Sequence, residues 1–253
     1  MTIRKPETGH IPGIRQLWED VFQEEADFLD RFFSLAFAPD RCRIALEGEQ
    51  VIGMVHWLTC SCRNRELAYL YAVAVAPQFR DRGIGSRLLL AAEDAIREAG
   101  FAGILLVPQE EDLRAYYAAR GYENVPGISE MVAAMGDIPA PLHCVNGEDY
   151  ALHRREFLPE GGVIQEGETL ALLSGEARFY KGLNLLLAAR VEPDGSLFGL
   201  ELLGDPANAP GILTSLGIPR GRFRIPGSRL SFAMYKPLIQ DAPAPTHFAF
   251  ALD

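Results

Sequence analysis

Four cysteines in 253 residues are too few for a disulfide framework. Two of them, Cys60 and Cys62, fall with His56 at even spacing on an expected strand, so that all three share one face. Cys-x-Cys lacks the paired spacing of a zinc site. The reading is therefore small buried thiols beside a core histidine, and no metal is expected. Long apolar runs are missing as well: none approaches the roughly 20 residues of a membrane helix. The residues from Met1 to Glu7 carry no apolar stretch of the secretory kind. The expectation is a soluble, cytoplasmic protein with no membrane partner. Basic charge is also scarce, with a net charge of −10 and a pI near 5.1. That surface argues against nucleic acid, whose binding depends on neutralising phosphates, and mildly favours a cationic partner such as an amine.

What is present is enough apolar residue for a buried core, 48% against 23% charged. Ile14, Leu17, Trp18 and Val21 recur at spacings of three and four, which predicts a helix over 11–23. Phe28, Leu29, Phe32, Phe33, Leu35 and Phe37 predict a second, ended by Pro39. Strands follow at 43–46 and 51–58, joined by the turn Glu47-Gly48-Glu49-Gln50. Leu67 to Val75 is continuously apolar, as a central strand buried on both faces would be. After Pro77 comes a polar loop, then a strongly periodic helix from Ile84 to Ala99, stopped by Gly100. A strand at 104–107, a helix at 111–120, and strands at 122–125 and 128–134 complete this half.

Gly136 to Pro141 reads as a linker. Beyond it, 163–164, 170–173, 177–180, 183–191 and 197–203 read as strands, with a hairpin turn at Glu192-Pro193-Asp194-Gly195. Ile212 to Leu216 reads as a short helix, and 222–225 and 230–234 as closing strands. The expected organisation is two domains, 1–135 and 142–253. The first is an α/β (α+β) unit with a mixed central sheet flanked by helices, and the second is smaller and β-rich.

The segment that carries chemistry is Arg80-Asp81-Arg82-Gly83-Ile84-Gly85, between a buried strand and a long amphipathic helix. The leading amides of such a helix have no intrahelical partner, the helix dipole adds positive character, and glycines let a ligand approach the backbone. A pyrophosphate suits that place. The Gly-Lys-Ser/Thr ending of nucleotide-hydrolase loops is absent, and so is the three-glycine dinucleotide fingerprint.

These residues resemble the Arg/Gln-x-x-Gly-x-Gly/Ala motif of the GNAT superfamily of N-acetyltransferases. Val73-Ala74-Val75-Ala76-Pro77 looks like that family's fourth strand. Ala115-Tyr116-Tyr117-Ala118-Ala119-Arg120-Gly121-Tyr122 resembles its aromatic-Tyr-x-x-x-Gly-aromatic helix ending. The resemblance covers about the first half of the chain. Within the family it is similar to a bacterial group, with the enhanced intracellular survival acetyltransferases as a distant comparison. The added C-terminal region of that group is often a degenerate second GNAT-like unit, and 197–203 with 207–216 would be its strand-helix pair.

The resemblance implies acetyl transfer from acetyl-CoA to a primary amine, with no metal. It implies that amides of the fourth strand, at Val73 and Val75, polarise the thioester carbonyl. The pantetheine arm would lie along 72–75, Ala74 included, opposite 104–107. The amides of Arg80, Asp81, Arg82, Gly83, Ile84, Gly85 and Ser86 would hold the pyrophosphate, and Tyr117 would protonate the coenzyme A sulfur. For the base, Glu66, Tyr69, His56 and a relayed water stay open. The asparagine many relatives carry before the tyrosine is missing from Pro108-Gln109-Glu110-Glu111, which puts one coenzyme A contact in doubt. Two other readings remain: a non-catalytic acyl-CoA sensor, and a C-terminal half that serves assembly as a homodimer.

Overall fold

The computed structural model describes residues 1–125 and 127–251. The chain divides into two compact units. One comprises Met1–Cys60, Arg65–Leu106 and Pro237–Ala242; the other comprises Ser61–Asn64, Val107–Lys236 and the chain from Pro243 onward.

In the first unit the elements run β1 (Thr2–Arg4), α1 (Ile11–Phe22), α2 (Ala26–Leu35), β2 (Cys42–Glu47), β3 (Gln50–Cys62), β4 (Arg65–Val75), α3 (Ile84–Glu98) and β5 (Gly103–Leu106). The strands lie side by side in the order β1-β2-β3-β4-β5. β1 pairs with β2, and β2 with β3, antiparallel. β4 and β5 are parallel and joined through α3, as a parallel pair requires a crossover. The helical spacing predicted for α1 is realised: Ile14, Leu17 and Trp18 are buried. The Trp18 ring packs on Phe32 of α2 at 4.5 Å. α3 lies close over β3 because position 53 is glycine. A Cβ there would meet Leu88 Cδ1 at 2.7 Å and the Ala74 carbonyl oxygen at 3.2 Å.

In the second unit the elements are α4 (Glu111–Ala118), β6 (Glu123–Asn124), β7 (Ile128–Ala134), β8 (His143–Val145), α5 (Gly147–Phe157), α6 (Glu168–Glu176), β9 (Arg178–Lys181), β10 (Leu185–Val191), β11 (Leu197–Gly204), α7 (Ala209–Leu216), β12 (Arg220–Pro226) and β13 (Met234–Pro237). Six strands form a sheet in the order β7-β12-β11-β10-β9-β8. β8, β9, β10 and β11 pair antiparallel in turn, and β11 pairs parallel with β12 across α7. The run β8-α5-α6-β9-β10-β11-α7-β12 therefore repeats β1-α1-α2-β2-β3-β4-α3-β5 element by element. This is the second GNAT-like unit that the resemblance implied, built around the anticipated strand-helix pair β11 and α7; it is not the smaller of the two, since it also takes in the chain from Val107.

Sequence and structure part at three places here. Leu170 to Leu173 is not a strand but the middle of α6; a four-residue apolar run cannot tell buried strand from buried helix. The predicted strand at 230–234 begins only at Met234. Gly136 to Pro141, read as a linker, is hydrogen-bonded to α7: the Gly136 amide donates to Pro210 at 3.2 Å and the Ala140 amide to Gly211 at 3.0 Å.

α5 escaped the sequence reading altogether, for a physical reason. Its buried side chains are Tyr150 and Arg154, so it shows no apolar stripe. Arg154 is satisfied by a carboxylate on β11, donating from Nε to Glu201 Oε2 at 2.6 Å and from Nη2 to Oε1 at 3.0 Å. The Tyr150 hydroxyl donates to the same Oε2 at 3.1 Å, and His247 Nε2 lies 3.1 Å from Oε1. Burial acts to raise the Glu201 pKa, yet the charge of Arg154 and the hydrogen bonds from His247 and Arg154 bring it down to about 2. The carboxylate thus stays ionised inside the core, as a fully paired buried charge can.

Candidate active site

β4 is buried from Leu67 to Leu70 and then opens, with Tyr71, Ala72, Val73 and Val75 only half-buried. Its parallel ladder with β5 has three rungs: Leu67 to Gly103, Ala68 to Ile104 and Tyr69 to Leu105. Beyond Tyr69 no rung to β5 continues. Ala72 then adopts φ +53°, a left-handed conformation that a residue with a Cβ takes only at a cost of roughly 1–2 kcal/mol. A left-handed residue inside a strand turns the following peptides, here those leading to Val73, Ala74 and Val75, out of the regular ladder.

Past Val75 the chain makes a single short turn at Pro77–Phe79. Asp81 has φ +62° and Gly83 φ +70°. Gly83 is the N-cap of α3 and offers no side chain to cap it. The Arg87 amide reaches the Gly83 carbonyl at 3.2 Å, so Ile84, Gly85 and Ser86 form the leading turn of α3, where a helix offers amides to a ligand. A Cβ built on Gly83 would meet nothing within 4 Å, so the space beside this glycine is open. Arg80 donates from Nε to the Val75 carbonyl at 3.2 Å. Arg82 donates to the Gln78 carbonyl at 3.3 Å and stacks over Phe79 at 5.1 Å. Both guanidinium groups are exposed. The first unit therefore brings Val73, Ala74, Val75 and the segment from Arg80 to Ser86 together at the open end of β4.

The candidate bases fare differently. His56 is 2% exposed, ringed by Trp18, Phe32 and Phe37, with its Nε2 at 3.8 Å from Cys42 Sγ. Burial lowers its pKa to about 3, so it is a neutral core residue. Tyr69 is buried beneath Tyr71, the rings 6.1 Å apart. Glu66 is exposed at the start of β4. His56, Cys60 and Cys62 share the strand but form no cluster: Cys60 donates to the Leu67 carbonyl and Cys62 to that of Gly161.

Tyr117 belongs to the second unit, near the end of α4. Its ring meets Tyr116 edge-on at 5.2 Å and Tyr122 at 5.6 Å. Gly121, at φ +84°, ends the helix, and the Tyr122 amide folds back to the Tyr117 carbonyl at 3.2 Å. Burial, with a smaller push from Tyr116, raises the Tyr117 phenol to about 12, against the opposing charge of Arg120. The phenol carries its proton at every ordinary pH.

A bulged strand, a glycine-capped helix and a parallel neighbour that stops short define an acetyltransferase domain of the GNAT type. Residues 2–125 match the family model "Acetyltransferase (GNAT) domain", and this part of the chain belongs to the GNAT superfamily. No curated protein matches it in sequence. Similar solved structures include a GCN5-related N-acetyltransferase from Kribbella flavida, at TM-score 0.71 and 15% identity over 92% of this chain and 70% of that one. Eis1 from Mycobacterium abscessus is similar at TM-score 0.70 and 11% identity, covering 94% and 74%. A putative acetyltransferase from Pyrococcus horikoshii is similar at TM-score 0.64 and 14% identity, covering 98% and 92%. At these identities the likeness is one of fold. Among the described residues, no helix is long and apolar enough to cross a membrane.

Proposed function

We propose that the protein transfers the acetyl group of acetyl-CoA directly to a primary amine. The observation that carries this reading is the head of α3, which starts at Gly83 with no side-chain cap and with open space beside that glycine. A diphosphate fits such a place by charge and by hydrogen bonding. In this reading residues 1–135 act as the catalytic domain and 142–253 as an accessory domain.

Three tasks fall to the chain. The amides of Val73 and Val75, turned out of register by Ala72, donate to the thioester oxygen as the amine nitrogen attacks the carbonyl carbon and negative charge gathers on that oxygen. The amides of Arg80 to Ser86 hold the diphosphate, with Arg80 and Arg82 adding positive charge. When the tetrahedral intermediate collapses and the carbon–sulfur bond breaks, the thiolate takes the Tyr117 proton. The amine must arrive neutral or lose its proton on the way. His56 and Tyr69 are both buried and poorly placed to act as the base, which leaves Glu66 or a bound water.

Release of free coenzyme A is the direct assay, with acetyl-CoA and a panel of small amines, amino acids, polyamines and peptides. The expected outcome is turnover on at least one class of amine. Tight acetyl-CoA binding with no turnover on any of them would make the protein an acyl-CoA sensor.

A further inference from the structure

Lysine is scarce in this chain: of its 24 basic residues only Lys5, Lys181 and Lys236 are lysines. The three amines have different neighbours. Lys5 donates to Asp40 at 2.7 Å, and that hydrogen bond lowers the Asp40 pKa, so the pair is an ammonium on a carboxylate. Lys236 lies over the Tyr122 ring at 5.4 Å, where the π-face favours a cation. Lys181 has an imidazole instead. Its Nζ lies 3.1 Å from Nδ1 and 3.0 Å from Nε2 of His153. Whichever tautomer the neutral ring adopts, an unprotonated nitrogen is therefore within reach of the amine.

The fold sets this contact through its neighbours. Tyr150 of α5 stacks on Phe179 of β9 at 4.3 Å. His153 stands three residues after Tyr150, on the same side of the helix, and Lys181 two residues after Phe179, on the same face of the strand. The docking that buries Tyr150 thus brings the imidazole onto the amine. His153 is not sealed in: its side chain is 22% exposed, and Glu156, three residues further along α5, is 66% exposed with Oε2 at 3.8 Å from His153 Nδ1. Lys181 is half-buried, and β9 lies next to β8, the last strand on that side of the sheet. Amine, imidazole and carboxylate correspond to a nucleophile, a base and a group that favours positive charge on the base.

We propose that Lys181 is an acylation site that takes the acyl group of a thioester such as acetyl-CoA, with His153 as its base. The Lys181 ammonium gives one proton to His153 and becomes a neutral amine. Its nitrogen attacks the thioester carbonyl carbon, the carbon–sulfur bond breaks, and the electron pair leaves on sulfur. The thiolate takes the second proton from the nitrogen. The products are Nε-acetyl-Lys181, the free thiol and one proton, which His153 returns to water. The acetyl group cancels the charge at position 181. The site lies wholly within the second unit, needs only a thioester in solution, and does not rest on the acetyl-CoA site at α3.

The test incubates the full chain with acetyl-CoA and, separately, with S-acetyl-N-acetylcysteamine, a thioester with no diphosphate. Acetylation of each lysine is followed by peptide mass spectrometry, with Lys5 and Lys236 as references inside the same molecule. Lys181 is expected to acetylate at least about tenfold faster than either, with both donors. His153→Gln is expected to bring Lys181 down to the rate of Lys5 and to leave the two reference rates unchanged. The melting temperature of that variant reports whether it is folded. Glu156→Gln, at an exposed position, serves in its place should it be unfolded, and is expected to slow Lys181 alone by a smaller factor. Arg80→Gln/Arg82→Gln weakens the loop before α3 and is expected to leave the labelling of Lys181 as it was. Lys181 labelled no faster than Lys5, a rate that His153→Gln leaves unchanged, or labelling that needs acetyl-CoA and disappears in the loop variant would each overturn the proposal.

Discussion

Tyr117 and Glu201 are two buried ionisable groups that burial treats in opposite ways. Tyr117 has no cationic partner strong enough to reverse the effect, so its phenol is held protonated to about pH 12. As a proton donor in the proposed reaction, its loss in Tyr117→Phe should lower kcat by roughly 100-fold or more, with donor affinity nearly unchanged; steady-state kinetics beside equilibrium acetyl-CoA binding separates the two. Glu201 has Arg154, and its folded pKa of about 2 lies below the ordinary value of 4.5. A depressed carboxyl contributes stability that is present above its unfolded pKa and lost as pH falls through the folded one. The second unit should therefore weaken between about pH 4.5 and 2, with Glu201→Gln removing that part of the pH dependence. The same variant leaves Arg154 buried without its counterion, at a cost of about 3–5 kcal/mol, which denaturant titration at neutral pH will read. Neither role was equally visible in the sequence. Tyr117 announced itself by standing four residues before Gly121, whereas Glu201 sat in an apolar strand and Arg154 in an unread helix, and only the fold joins them.

The element that decides the candidate site is the junction of β4 and α3. The glycines there are not equivalent. Gly83 sits at φ +70°, so any side chain at that position brings backbone strain along with bulk. Gly85 lies inside the first turn of α3 with no left-handed requirement, so Gly85→Val obstructs the hollow more cleanly. Acetyl-CoA affinity should fall at least about tenfold in Gly85→Val with the melting temperature little changed, since valine is no poorer a helix former than the glycine it replaces. Gly53→Ala tests the other side of the junction. Its Cβ would press on Leu88 and on the Ala74 carbonyl, and overpacking of that kind costs roughly 1–3 kcal/mol. A thermal melt measures the loss, and a matching drop in donor affinity would show that α3 has been pushed from its seat. Most of this junction was legible beforehand: the apolar strand, the glycine loop and the periodic helix all follow from local pattern. The left-handed turn at Ala72 was not, because nothing in Tyr-Ala-Val marks alanine for positive φ; the strand takes it only through its neighbours.

At the scale of the molecule, two units share one strand order but not one chemistry. Where Gly83 leaves the head of α3 uncapped, the corresponding turn before α7 is closed by its own residues. The Asp205 side chain accepts from the Ala207 amide at 2.9 Å, and a proline in the first turn of α7 removes a further donor. The full chain should therefore bind one acetyl-CoA, and calorimetry should return a stoichiometry near one; a value near two would assign a donor site to the second unit as well. The duplication has another consequence, which concerns how the chain reaches this state. Each half contains a parallel pair that must find its partner across a helical crossover, and slow pairings of that sort leave edges exposed. β4 and β11 are both predominantly apolar ribbons, so the hydrophobicity of these two alone does not prevent a hybrid sheet. The buried pairing of Glu201 with Arg154 supplies the missing label: a ribbon exchanged between the halves would bury Glu201 against a neighbour that offers it no arginine, and such a misassembled sheet would be destabilised by an unpaired buried charge.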